Sequence, residues 1–217
     1  MKVDLHVHTK ERSQCARAST IEHIQTAIAA GLDAIALTDH GQLAPAEEIS
    51  RLNTEYAPFR ILDGIELTVG GEDVVVLGLR DPSLVTENWD YPRLHGFVRV
   101  QGGVLVLAHP FRYRPNIAIP LQEFPPDAIE VCSGSTPRHA VEQIEAVAQS
   151  LGVPVISNSD AHVTEILGIY YNVLDMEARN ARELLDLIKA GMFTAVMRET
   201  DGTTKEFMRR GFRAHNS

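Results

Sequence analysis

Short apolar runs alternate with stretches of helical spacing along most of the chain. Residues 3–7 alternate apolar with polar side chains and predict a strand. Residues 20–30 place apolar side chains at helical spacing, with Ser19 or Thr20 as cap and Gly31 as stop. Residues 34–37 predict a short buried strand and residues 45–56 a helix. Residues 60–69 and 73–79 flank Gly70-Gly71 and predict a hairpin or strand pair. A helix over 91–101 precedes a buried strand over 103–107. Residues 112–126 hold four of the eleven prolines and predict an irregular loop. Then follow a strand at 128–131, an amphipathic helix at 137–151 stopped by Gly152, and a strand at 153–156. The last predicted elements are a strand near 170–173, a helix over 180–189 and a strand over 193–197. Such alternation implies parallel βαβ units, closed into a barrel or open as a doubly wound sheet. No repeat or linker divides the chain, so one domain over 1–197 is expected, with a polar, loosely held tail over 198–217.

Composition narrows the class. At 217 residues the chain can build one sizeable core. Hydrophobic residues make 44% and charged residues 23%, values of a globular protein. A net charge of −9 argues against long nucleic acid as a partner. It does not exclude a small anionic substrate, because a metal cluster overrides the global sign locally. No apolar run reaches the ~18 residues of a membrane span. The start, MKVDLHVHT, has the pattern of neither a signal nor a transit peptide. Two cysteines, Cys15 and Cys132, are expected as free thiols in a reducing cytoplasm.

The nine histidines are the unusual resource, and their positions matter more than their number. His6 and His8 end the first predicted strand, and Asp39-His40 follow the second. Glu66 ends ILDGIE, His109 follows GVLVLA, and Asp160 with His162 follows VPVISNS. In parallel α/β proteins the C-terminal strand ends form the active face, so one crevice can collect all of these groups. His6 and His8, two apart on a strand, face one side, with Leu5 and Val7 toward the other layer. Converging imidazoles and carboxylates fit a metal site, and this nitrogen–oxygen mixture suits zinc, manganese or iron. Glu66 has two oxygens with which to bridge two ions. Asp39 is placed to orient His40 or to act as an acid, with helix capping as its alternative. His23, His95, His139 and His215 are expected as ordinary surface residues. No G-x-S-x-G elbow, P-loop or G-x-G-x-x-G is present.

Five motifs in order resemble the PHP family (polymerase and histidinol phosphatase): DLHVHT, TDH, GIE, AHP and NSDAH. The resemblance runs from residue 1 to about 175 and extends to 197. It implies a distorted (β/α)7 barrel, TIM-like, with two or three divalent ions at its C-terminal face. By resemblance, His6, His8, Glu66 and Asp160 hold the first metal. Glu66 and His109 hold the second, and His40 and His162 serve the third. The chain departs from the family twice. KERSQCARAS, after the first motif, lacks the usual Asp or His for the third metal and offers only Glu11 or Cys15. EDVVVLGL, after Glu66, places valines where the family often carries a histidine for the second metal.

The function these readings imply is hydrolysis of a small phosphorylated substrate (a phosphomonoester, nucleotide or short oligonucleotide) through metal-activated hydroxide. Asp39, His40 and His162 are the candidate catalytic residues, and Arg112 and Arg114 the candidates to grip phosphate. Two other classes remain. One is a metal-dependent amidohydrolase, whose usual mid-barrel carboxylated lysine has no counterpart here, so Glu66 would replace it. The other is a metal-stabilised binding domain without turnover. The pattern does not indicate an oligomeric state.

Overall fold

A computed structural model describes residues 1–207. Among the described residues ten strands form a single mixed sheet in the order β10-β9-β8-β1-β2-β3-β4-β5-β6-β7. They are β1 (Lys2–Val7), β2 (Ala34–Leu37), β3 (Arg60–Val69), β4 (Glu72–Leu77), β5 (Val104–Leu107), β6 (Ala128–Cys132), β7 (Val155–Ser157), β8 (Tyr170–Leu174), β9 (Phe193–Arg198) and β10 (Thr204–Phe207). The helices are α1 (Thr20–Ala29), α2 (Ala46–Glu55), α3 (Ser83–Thr86), α4 (Tyr91–Gln101), α5 (Val141–Leu151) and α6 (Ala181–Lys189).

Local chemistry fixes the element ends. Ser19 and Glu22 close a capping box on α1. Asp90 caps α4, and Gly102, at φ 77°, ends it in the left-handed conformation that glycine adopts without penalty. α5 begins four residues later than its pattern predicts. It has no side-chain cap, and its entry is a tight turn over Arg138–Ala140.

The sheet curls into a nearly closed barrel, but strict parallel βα alternation is not kept. β1, β2 and β3 are parallel neighbours, as are β5, β6 and β7. β4 enters antiparallel between β3 and β5, because the Gly70-Gly71 turn is too short for a crossover. β8 runs against both β1 and β9. Residues 204–207, within the segment read as a tail, pair with β9 as an antiparallel edge strand. Residues 208–217, with His215, lie outside the described residues. Side chains close the seam beside β7. The Ser157 amide donates to Asn172 Oδ1 at 2.9 Å, and Ser157 Oγ donates to the Val196 carbonyl at 2.8 Å.

The barrel interior is packed with Val3, Leu5, Ala36, Val75, Val106 and Ile156, among others. Leu184, Leu185 and Ile188 of α6 join this cluster, so α6 plugs the end where the parallel strands begin. Separate apolar layers lie under α1 and α2 and under α4 and α5. Leu5 belongs to the interior and Val7 to the layer under α1, so they do not share a face as alternation predicts. A register shift between Asp4 and Val7 accounts for this, since a bulge re-aims the side chains beyond it. With one end plugged by α6, chemistry is left to the other. Among the described residues no helix is long and apolar enough to cross a membrane.

Candidate metal centre

The strand ends opposite α6 gather the predicted groups. His6 and His8 sit at the end of β1 and just beyond it, fully buried. Their Nε2 atoms face each other at 3.0 Å. His8 Nε2 is 3.0 Å from Asp160 Oδ1, and His6 Nε2 is 3.4 Å from Glu66 Oε1. His109 Nε2 lies 3.1 Å from Glu66 Oε1, and His40 Nδ1 2.7 Å from Glu66 Oε2. The His162 ring stacks on His8 with centroids 4.4 Å apart, and its Nδ1 donates to the Asp160 carbonyl at 2.9 Å. The expected His6, His8, His40, Glu66, His109, Asp160 and His162 therefore meet at one point. His109 and Asp160 take positive φ values of 26° and 53°. Such backbone is uncommon outside glycine, and here it turns both side chains inward at the strand ends.

The electrostatics are those of a group without its counter-ion. Burial raises and His6, His109 and His40 lower the Glu66 carboxyl, which ends well below its usual range. Asp160 is likewise held low by His6 and His8 despite burial. Burial opposes charge on His6, but Asp160, Glu66 and Glu130 drive it well above the ordinary imidazole value. Burial and the charge on His6 push His8 down to about 4. Glu66 Oε2 and both Asp160 carboxylate oxygens are buried and make no well-aligned hydrogen bond, although His40 Nδ1 and His8 Nε2 lie within 3.0 Å of two of them. Buried anions require a partner, and divalent ions among these nitrogens and oxygens would supply it. Three-residue sets with ligand atoms within 4.8 Å of one another include His6-His8-Glu66, His6-His109-Asp160 and His8-His40-His162.

Residues outside the predicted set support it. Glu130 of β6 is fully buried. Its Oε1 accepts from His6 Nδ1 and from Asn158 Nδ2, each at 3.2 Å, and its Oε2 accepts from the His109 amide at 3.0 Å. Glu130 thereby leaves His6 Nε2 for an ion. Its sequence signal is a lone carboxylate inside the apolar run AIEVC. Ser13 performs a similar task for His8. Its Oγ lies 3.4 Å from His8 Nδ1, accepts from the His40 amide at 3.2 Å and donates to Asp39 at 2.7 Å.

Asp39 is buried and bonded to Thr9, Arg12 and Ser13, so its link to His40 runs through Ser13. Arg112 Nη1 lies 3.6 Å from Asp160 Oδ2, at the edge of the cluster. Arg114 instead lies over the β3–β4 turn, against Gly71 and 4.0 Å from Glu72. Glu11 turns to the start of α1, accepting from the Thr20 amide at 3.1 Å. Cys15 is exposed and Cys132 buried, and both are free. His23 is buried on α1 rather than exposed, because it falls on the inward stripe beside Ile24 and Ala27. Burial lowers its pKa. His95 packs against Tyr91 and Phe124 and contacts the Pro125 carbonyl at 3.0 Å, while His139 is exposed.

Comparison with known proteins agrees with this architecture. Residues 138–193 match the PHP-associated family model (PHP_C). No curated protein sequence matches the chain. A two-domain protein from Bacteroides vulgatus, containing a predicted PHP-like metal-dependent phosphoesterase, superposes with a TM-score of 0.70 at 18% identity. The match covers 90% of this chain and 64% of that one. The chain shares the fold of this PHP-like protein. The chain thus spans less than two thirds of the Bacteroides protein. A candidate metal-dependent phosphoesterase from Bifidobacterium adolescentis aligns with a TM-score of 0.61 and 16% identity, over 75% of this chain and 88% of that one. An amidohydrolase from Chromobacterium violaceum, with bound sulfate, aligns with a TM-score of 0.61 and 19% identity, over 74% and 87%. These neighbours share the fold of this chain, and the activities in their names differ.

Proposed function

We propose that the chain is a metal-dependent phosphoesterase acting on a small phosphorylated substrate: a phosphomonoester, a nucleotide or a short oligonucleotide. The carrying observation is the set of buried oxygens on Glu66 and Asp160 that make no well-aligned hydrogen bond, ringed by five imidazoles. In this reading His6, His8, Glu66 and Asp160 hold a first divalent ion. Glu66 and His109 hold a second, and His40 and His162 serve a third, with zinc, manganese or iron as the candidates. Such ions, when bound, polarise a phosphoryl oxygen and bring the pKa of water from 15.7 toward about 7.

The remaining work falls to the chain itself. Arg112, at the cluster edge, grips the non-bridging phosphate oxygens and offsets the acidic field of Glu66 and Asp160. His40 and His162 keep 45% and 25% of their side chains exposed, so they face the entering substrate. Their Nδ1 atoms lie against Glu66 and the Asp160 carbonyl, which leaves Nε2 of each ring to hold the third ion or, where that ion is not bound, to pass a proton to the leaving oxygen. Asp39 acts as a positioning group through Ser13.

The test is elemental analysis of the purified chain together with turnover assays on aryl phosphate, phosphorylated metabolites and cyclic amides. His8→Ala and Asp160→Ala are expected to lose metal and phosphate release together. Unchanged metal content and hydrolysis in both variants would overturn the assignment. Turnover of the amides alone would favour the amidohydrolase class, and bound metal without any turnover a binding domain.

A further inference from the structure

The second metal position, as assigned above, has only two protein ligands. The strand that follows Glu66 carries valines at 74–76, and all three are buried in apolar layers rather than turned toward the cluster. Asp73, one residue earlier on β4, is different. One of its oxygens, one from Glu66 and a ring nitrogen of His109 lie within 4.8 Å of one another. The β3–β4 register places Asp73 opposite Thr68, two residues beyond Glu66, and its carbonyl accepts from the Ala108 amide at 3.0 Å. Both flanking strands thus fix its position beside the other two ligands. Thr68 Oγ1 donates to Asp73 Oδ1 at 2.5 Å, which holds the carboxylate and leaves lone pairs for an ion. Buried Asp160 Oδ2, which makes no hydrogen bond and lies 3.9 Å from His109 Nε2, supplies the independent sign that this wall of the cluster faces a cation.

We propose that Asp73 is the third protein ligand of the second metal position, and that it makes this position richer in oxygen than a site with histidine there. The inference rests on the metal reading above. Two carboxylates and one imidazole form a harder donor set than one carboxylate and two imidazoles. The second position therefore discriminates less strongly for zinc over manganese than it would with a histidine at 73.

The test uses the full chain, stripped of metal and titrated with Mn2+ or Zn2+ by calorimetry. Elemental analysis after gel filtration gives the ion count. Wild type is expected to bind at least two ions per chain. Asp73→Asn should keep the tighter ion with little change and bind the weaker one at least about tenfold less well. Asp73→His should retain both ions and raise the zinc-over-manganese preference of the weaker one. Far-UV circular dichroism and thermal unfolding of the metal-free variants separate ligand loss from misfolding, and Asp73→His still decides the matter if Asp73→Asn fails to fold. An Asp73→Asn isotherm that superimposes on wild type would overturn the role of Asp73 and leave the metal centre standing. So would an Asp73→His protein with unchanged metal preference. A wild type that binds one ion removes the second position, and one that binds none overturns the centre and this inference together.

Discussion

Glu130 offers the most exacting test of how the centre is held. Its carboxylate accepts three bonds: from His6 Nδ1 at 3.2 Å, Asn158 Nδ2 at 3.2 Å and the His109 amide at 3.0 Å. Glu130→Gln keeps the shape but replaces one acceptor oxygen with an NH2 group. Whichever way the amide turns, a donor then faces a donor. Turned toward His6 with its oxygen, it leaves the His109 amide unsatisfied. Turned the other way, it frees the His6 ring to rotate or to change tautomer. A buried unsatisfied group costs about 1–3 kcal/mol. Loss of a residue that orients a metal ligand typically weakens metal binding by about 10- to 100-fold.

The assay is chelator competition for Mn2+ or Zn2+ between pH 6 and 8. Glu130 is also one of the carboxylates that drive the His6 pKa upward. In wild type, protons therefore compete with metal for His6 from a higher pH. Glu130→Gln loses that contribution, so its deficit in metal affinity should be largest at pH 8 and narrow toward pH 6. Glu130→Ala serves as the folding reference. It strands all three donors at about 1–3 kcal/mol each, against a total stability of about 5–15 kcal/mol for an ordinary domain. An equal metal affinity for Glu130→Gln and wild type would refute the reasoning. A deficit independent of pH would show that Glu130 acts on the packing and not through His6.

Three further outcomes follow from the same contacts. Arg112→Ala should raise KM for a phosphoester about tenfold with a smaller change in kcat, read from steady-state kinetics, since uniform binding of phosphate is what it removes; an unchanged KM excludes the contact. Burial pushes the Asp4 carboxyl from 3.8 to about 7, so the metal-free folded chain holds a proton that the unfolded chain releases across that interval. Its stability should therefore fall from pH 4 to pH 7 by an amount on the order of 4 kcal/mol from this group, and Asp4→Asn should flatten that part of the denaturation profile. Burial pushes the Cys132 thiol up to about 12, whereas Cys15 is exposed. Mass spectrometry after alkylation of the native protein should find Cys15 modified and Cys132 protected.

Much of the candidate site was legible because each candidate ligand sits at the end of a pattern. The bounds expected for β2, β3 and α4 are those observed, since short apolar runs and a left-handed glycine stop mark them directly. Glu66, His109 and Asp160 follow such runs, and their meeting needs only that the strand ends share one face. Glu130 and Asp73 were not legible in that way. Glu130 matters because closure of the barrel brings β6 across to His6, a contact 124 residues distant in sequence. Asp73 matters because β4 runs antiparallel, so the start of that strand, not its end, lies at the metal face. The bulge in β1 was equally hidden. It depends on Asp4 Oδ1 accepting from the His6 amide at 3.3 Å, a local bond that alternation does not encode.

Charge connects these observations to stability. Glu66, Glu130 and Asp160 are all buried, and the arginine nearest to them, Arg112, is partly exposed at the rim. Without metal, the proton held on His6 is a positive charge at the middle of the cluster, and His40 and His109 are also shifted toward their charged forms. Imidazolium charge that burial and mutual repulsion oppose is a costly counterweight to three buried carboxylates, so the metal-free cluster is a source of strain in the fold. Divalent ions that replace that charge relieve the repulsion and bind only the folded arrangement. Their binding free energy then adds to folding free energy, rising with ion concentration above the dissociation constant. Purity of packing in the α6-plugged interior does not depend on this balance, because that cluster is apolar. The metal face and the plugged end are therefore expected to differ in what stabilises them: metal removal loosens the loops that carry His40, His109 and Asp160 before it reaches α6. Hydrogen exchange of the chelated protein would show this order, and simultaneous loss of protection at both ends would contradict it.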